Sequence, residues 1–298
     1  RTRCSVEMSQ PASGGEPARE TNWFEDWSAR TPYVSRHVIM SLIVLYLLSW
    51  FSDVSAVLVN CPYDTLFSLH LWRIVTAPFV QGRLLSLVFS VLAFSGMGPR
   101  LEAAIGSTKM MVLTFKLGAA VQLVFLFVIT LLAYNPVGPS PELMGMCSSG
   151  FWTILLALIV LECQQNPDQP RRLFFFPCPI QARWYPWAIL ALFSLLGGLR
   201  PDNVLAVCTG YLYVWGYLKP LQPEDSTMEA WEEAGWLSGI SNSPGYIKVG
   251  TAAGGFDLAS LGNSGGGSDG GGGGGETAGK KAKKKQKRAA EAEADVAP

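Results

Sequence analysis

The sequence predicts an all-α polytopic membrane protein, a six-helix transmembrane bundle with disordered tails. Two observations carry that fold class. Hydrophobic residues make up 49% of the 298 and charged residues only 15%. Mean hydropathy is +0.24 although both ends are polar, so the apolar content is concentrated in the middle. That middle resolves into six apolar runs separated by polar or proline-bearing turns.

Residues 1–31 are polar and predict a cytosolic tail. Trp23-Phe24-Glu25-Asp26-Trp27 is too short and too acidic for the apolar core of a secretory signal. The first apolar run, Val38 to Phe51, extends back through Pro32 and stops at Ser52-Asp53. With its flanks it nears the ~20 residues that cross a bilayer. Residues 60–78 form a mixed, aromatic-rich loop. The second run is Leu84 to Gly98, followed by a turn holding Arg100, Glu102 and Lys109. Met110 to Ala133 is the third. Leu143 to Leu161 is the fourth, after a proline-rich turn at 135–141. A polar and aromatic loop, 164–183, precedes the fifth and sixth runs, Trp184 to Leu199 and Val204 to Leu218. The second, fifth and sixth runs hold about fifteen residues each, roughly 23 Å of helix. That falls short of a ~30 Å hydrocarbon core, which predicts local bilayer thinning or helices tucked inside the bundle.

Beyond Leu218 the composition changes. Residues 228–237 could form a short amphipathic helix, 250–279 is rich in Gly and Ser, and 280–294 is rich in Lys and Ala without an apolar stripe. The domain reading is a tail at 1–31, a membrane domain at 32–221 and a disordered Gly-rich and Lys-rich cytosolic tail at 222–298. The Lys280–Arg288 run is read as solvated, with weak attraction to anionic membrane lipids.

Six spans put both termini on one side. Arg30, Arg36, Arg100, Lys109, Arg171, Arg172, Arg183 and Lys219 fall on that side, and Arg73, Arg83 and Arg200 fall opposite. The bias predicts cytosolic termini. The cysteines at 4, 61, 147, 163, 178 and 208 are scattered without a CxxC pair, and the chain has two histidines. Neither a zinc site nor a disulfide framework is predicted. No cofactor and no nucleic-acid partner is implied.

Three stretches carry a resemblance. Leu71-Trp72-Arg73-Ile74-Val75-Thr76-Ala77-Pro78-Phe79 stands in the first loop. Gly98-Pro99-Arg100-Leu101-Glu102 leads to Gly106-Ser107. Cys147-Ser148-Ser149-Gly150 opens the fourth run. In that order, over roughly residues 32–221, they resemble the motifs of the rhomboid superfamily.

The resemblance implies a place for each catalytic part. Family proteases use a serine in a G-x-S-G motif and a histidine in the sixth span as its base. Ser149-Gly150 matches the end of that motif, with Cys147 in place of its first glycine. The stretch Ala206-Val207-Cys208-Thr209-Gly210 matches the family's histidine pattern, with Val207 where the base would stand. Valine moves no proton. The histidines, His37 and His70, lie in the first span and the first loop. Family spacing puts Ser86 and Ser90 where an oxyanion would be held, and serine is a short-armed substitute for that job. Ser149 is thus read as a small packing residue. Ala206 and Gly210 form a small-xxx-small pair suited to close helix contact. Lys116, deep in the third run, is read as snorkelling to the cytosolic edge.

By resemblance the chain is a pseudoprotease, similar to derlins and to the rhomboid pseudoprotease with a ubiquitin-associated domain. Pro186-Trp187 and Asn166-Pro167 are derlin-like touches. The implied function is binding transmembrane clients in the endoplasmic reticulum for degradation or trafficking, with cytosolic degradation machinery met through the C-terminal tail. The rival is an active intramembrane serine protease built on Ser149.

Overall fold

Each apolar run carries a helix, because in hydrocarbon the backbone N–H and C=O groups must bond within their own segment. The computed structural model describes residues 23–254 apart from 137, 139, 174–175, 199, 219–224 and 235–238. All of them lie in one unit, Arg1–Gly262. Helices α1 (Trp23–Arg30) and α2 (Tyr33–Leu48) come first. The loop that follows folds into α3 (Val54–Leu58), α4 (Pro62–Phe67), α5 (Arg73–Thr76) and a 3-10 turn at Ala77–Phe79.

The long helices α6 (Leu84–Ile105) and α7 (Ser107–Ala133) come next, then α8 (Trp152–Gln165). The strands β1 (Pro170–Leu173) and β2 (Phe176–Gln181) pair antiparallel, with Pro170 opposite Gln181. Helices α9 (Tyr185–Gly197), α10 (Pro201–Val214) and α11 (Asp225–Glu233) complete the described chain. Only α6 and α7, among the described helices, are long and apolar enough to cross a bilayer by that measure.

At the centre stands α8. Every residue from Thr153 to Leu161 is buried, which is what a helix apolar on all sides requires. Helix α10 lies close against it. A Cβ on Gly210 would meet the Val160 Cβ at 2.8 Å and the Ala157 carbonyl oxygen at 3.1 Å, so the small-xxx-small reading of α10 holds at this contact.

Several boundaries differ from the sequence reading. The second span does not stop at Gly98 but continues through Pro99 to Ile105, a helix of 22 residues in all. Arg100 and Glu102 are therefore helical, and the turn shrinks to Gly106, whose φ of 91° only glycine adopts easily. The fourth helix starts at Trp152, not Leu143, because 141–145 is a 3-10 turn and Gly150 has φ 111°. The short helices are α8, α9 and α10, of 14, 13 and 14 residues.

Both tails hold more order than the disordered reading allowed, and the short helix expected at 228–237 is present in part as α11. Residues 23–30 are helical. Residues 225–233 form α11, and a segment around 245–253 bonds to the bundle: Ser107 N–H donates to the Ile247 carbonyl at 2.7 Å and Ala253 N–H to that of Ala103 at 3.0 Å. The composition of this stretch hides its order, since the bonds are made by backbone and by a few polar side chains. Residues 1–22 and 255–298, including the Lys280–Arg288 run, lie outside the described residues.

Candidate functional site

The first loop is held by Arg73. Its guanidinium donates to the carbonyls of Val59 at 3.1 Å and Ala56 at 2.7 Å and pairs with Asp64 at 2.9 Å. A buried cation at the carbonyl end of α3 suits the helix dipole and its open acceptors. Trp72 is half-exposed, donates its indole N–H to the Val57 carbonyl at 3.2 Å and rests its ring on His70. The Trp-Arg pair thus ties the loop to itself.

The same loop grips the serine motif. Asn60 and Ser148 exchange both backbone hydrogen bonds, at 3.2 and 2.8 Å. Beside them Cys61 and Cys147 form a disulfide. This overturns the expectation of no disulfide: spacings in sequence gave no hint that residues 86 apart meet. Cys147 in place of the motif's glycine acquires a reason.

A buried polar chain runs from this clasp. Thr65 donates to the Asn60 side chain at 2.7 Å, and Asn60 donates to Gln122 at 2.7 Å. Gln122 donates to the Ser148 hydroxyl at 3.1 Å, and that hydroxyl lies 3.4 Å from Asp202. Arg200 closes the chain with two bonds to Asp202, at 3.1 and 2.6 Å, and one to the Ser149 carbonyl at 3.3 Å. Asn60, Gln122, Ser148 and Asp202 are all buried. Such a network rigidifies when every member is satisfied.

Sequence reasoning missed these residues. The signal was there in part: Gln122 is a lone amide inside an apolar run, and Asp202 follows a helix-opening proline.

The motif serine stands apart from this chain. Ser149 is half-buried, and among the described residues its hydroxyl has no hydrogen-bond partner. Gly150 donates its N–H to the Ala77 carbonyl at 3.2 Å. Ser86 and Ser90 do come together, through Gln81: Ser86 donates to its carbonyl oxygen at 2.9 Å, and its amide reaches Ser90 at 3.4 Å. A Cβ on Gly150 would lie 3.8 Å from that same carbonyl oxygen. Val207 is wholly buried in α10. The Asp202 carboxylate, already held by Arg200 through two bonds, is occupied as an acceptor.

At the opposite end, Glu102 is fully buried. It accepts the N–H groups of Val34 at 2.8 Å and Ser35 at 2.7 Å, and the Ser107 hydroxyl at 2.6 Å. It caps α2 from a distant helix, where the exposed N–H groups and the dipole favour a carboxylate. Leu101 beside it packs in the core. Gly106 leaves room for the docked segment, since a Cβ there would meet the Val249 Cα at 3.0 Å.

Glu232 answers Glu102 on the neighbouring helix. It accepts from Thr108 in the first turn of α7, from the Tyr246 hydroxyl and from Val249 N–H. Burial pushes the Tyr246 phenol above its usual range, so the neutral donor is the form this site selects. Lys109 pairs with Asp225 at 2.8 Å. Lys116 lies with its ammonium 5.1 Å from the centre of the Tyr213 ring, a cation–π contact. Among the described residues no group of three His, Cys, Asp or Glu side chains could hold a metal ion.

Comparison with known proteins agrees with the motifs. Residues 36–261 match the family model described as eukaryotic integral membrane protein (DUF1751). The chain is also similar to Rhomboid-like protein 15 of Arabidopsis thaliana, 29% identical over 238 residues, or 78% of this chain and 58% of that relative. The chain spans less than two thirds of the relative's length.

Proposed function

The chain belongs to the DUF1751 family of eukaryotic integral membrane proteins and is rhomboid-like, and we propose that it binds transmembrane segments of client proteins without cleaving them. One observation carries the non-catalytic reading: the hydroxyl of Ser149 has no base, because the matching position on α10 is the buried Val207. An unactivated serine hydroxyl is a weak nucleophile.

Client binding is supported by shape. A groove of about 840 Å³ lies between the first-loop helices and the outer face of α7, lined by Leu66, Leu71, Ile74, Phe127 and Leu131. That lining suits an apolar helix. Helices α8, α9 and α10, near 20 Å long, favour a thinner bilayer beside the bundle.

In this reading the protein sits in the endoplasmic reticulum with cytosolic termini and hands clients to degradation or trafficking, with cytosolic machinery met through its tail. The Cys61–Cys147 disulfide supports that orientation, since such bonds persist on the side away from the cytosol.

The test is Ser149→Ala. A serine-reactive fluorophosphonate should label neither form, a transmembrane reporter should stay uncut, and photocrosslinking of a client helix to wild type and variant should be equal. Cleavage that depends on Ser149 would overturn the proposal in favour of a protease.

A further inference from the structure

At the tail-bearing end of the bundle, the end of α8, the 3-10 turn at Ala182–Trp184, the start of α9 and the end of α10 enclose a cleft of about 600 Å³. Trp184, Trp187, Tyr211, Leu212 and Trp215 form its walls, and Arg183 stands at it. The walls are braced from within. Trp187 donates its indole N–H to the Tyr211 hydroxyl at 3.1 Å, and that hydroxyl lies 3.5 Å from the Arg183 carbonyl. Trp187 and Tyr211 stack at 6.0 Å. The size suits a small-molecule site.

Arg183 differs from two ion-paired arginines at this end. Arg171 and Arg100 both pair with Glu162, at 3.2 and 3.8 Å. Arg183 uses its Nε on the neutral Gln181 side chain at 2.9 Å and has no carboxylate within ion-pair distance among the described residues. It is exposed, as are Trp184 and Trp215. Indoles gather where a bilayer meets water, the level that lipid phosphates also occupy.

We infer that this cleft binds one anionic phospholipid, an acyl segment lying between the aromatic walls and the phosphate on Arg183. An apolar cleft gives a water-soluble ligand almost nothing to bond to, whereas an acyl chain needs nothing more. An unpaired guanidinium beside it completes the match to a phosphate. In a zwitterionic lipid the headgroup cation has only that phosphate to balance it and competes with Arg183, whereas the ammonium of phosphatidylserine is balanced by its own carboxylate, so the site prefers net negative headgroups.

The full chain in mild detergent, given equal phosphatidylserine and phosphatidylcholine, can be read by native mass spectrometry. Wild type should retain phosphatidylserine about tenfold more, the fold-change of one charge-assisted hydrogen bond. Arg183→Gln, an exposed change that leaves the fold intact, should bring the two lipids level. Leu212→Trp should fill the cleft and reduce both adducts. Soluble glycerophosphoserine should not bind. Equal retention of the two lipids by wild type, or an unchanged preference in Arg183→Gln, overturns the inference. Binding of glycerophosphoserine at lipid-like occupancy would make this a bare anion site, and displacement of the lipid by an apolar transmembrane peptide would make it a client site; either result also overturns it.

Discussion

Glu102 caps the start of α2 with a carboxylate supplied by α6, and three donors converge on it within 2.8 Å. Its place in a motif was legible in the sequence, but a turn was the natural reading of Gly98 to Ser107. Only the fold shows that the motif's acidic residue serves another helix. Buried donors left without an acceptor cost about 1–3 kcal/mol each. Glu102→Ala should therefore lower stability by at least about 3 kcal/mol on that scale, read as a shift of the denaturant midpoint in detergent. Glu102→Gln keeps one oxygen and should lose about half as much. An unchanged midpoint in the alanine variant would mean that water satisfies those N–H groups. Ser149 is the opposite case. Its lack of a base was readable at once from Val207, yet the sequence did not show that the neighbouring Ser148 is the hydroxyl built into the structure.

Helices α10 and α8 pack closely at Gly210. A methyl group there has nowhere to go, since it would face the backbone at Ala157 and the stiff β-branched Val160. Gly210→Ala should cost about 1–3 kcal/mol by overpacking. Gly118 on α7 offers a control. Its Cβ would meet the Ile154 Cδ1 at 3.0 Å, the far end of a side chain that can turn. Gly118→Ala should cost less than Gly210→Ala in the same thermal assay, and the reverse order would refute the close packing of α10 on α8. The Ala206–Gly210 spacing was legible because small residues four apart share a face. The lengths of the helices were not: the apolar run ends at Gly98, and α6 continues to Ile105.

For the whole molecule, the docked segment changes which truncation the fold tolerates. The composition after residue 222 suggested that everything from 240 onward could go. The bonds of Tyr246, Ile247 and Val249 to Thr108, Ser107 and Glu232 now argue otherwise. Deleting 240–298 should lower the melting temperature of the bundle, while deleting 255–298, a Gly- and Lys-rich stretch with few apolar groups, should leave it unchanged. Equal melting for both truncations would show the docking to be weak. The disulfide closes a separation of 86 residues, and on the chain-entropy estimate its loss in Cys61→Ser costs about 4.6 kcal/mol. Orientation has its own check. A glycosylation acceptor inserted in 135–141 should be modified in microsomes and one placed after residue 255 should not, because the charge bias puts the former outside the cytosol. Modification of the second site alone would invert the topology.

The sequence by itself determined that this is a helical membrane protein of rhomboid type, with its apolar runs in place and without the family's histidine. Those features are local: hydropathy, short motifs and the identity of one residue. The tertiary structure decided the disulfide, the polar chain from Thr65 to Arg200, the distant cap at Glu102 and the docked segment beyond α10. Each joins residues far apart in the chain through one or two polar atoms, and neither periodicity nor composition records which partner a buried polar atom will find.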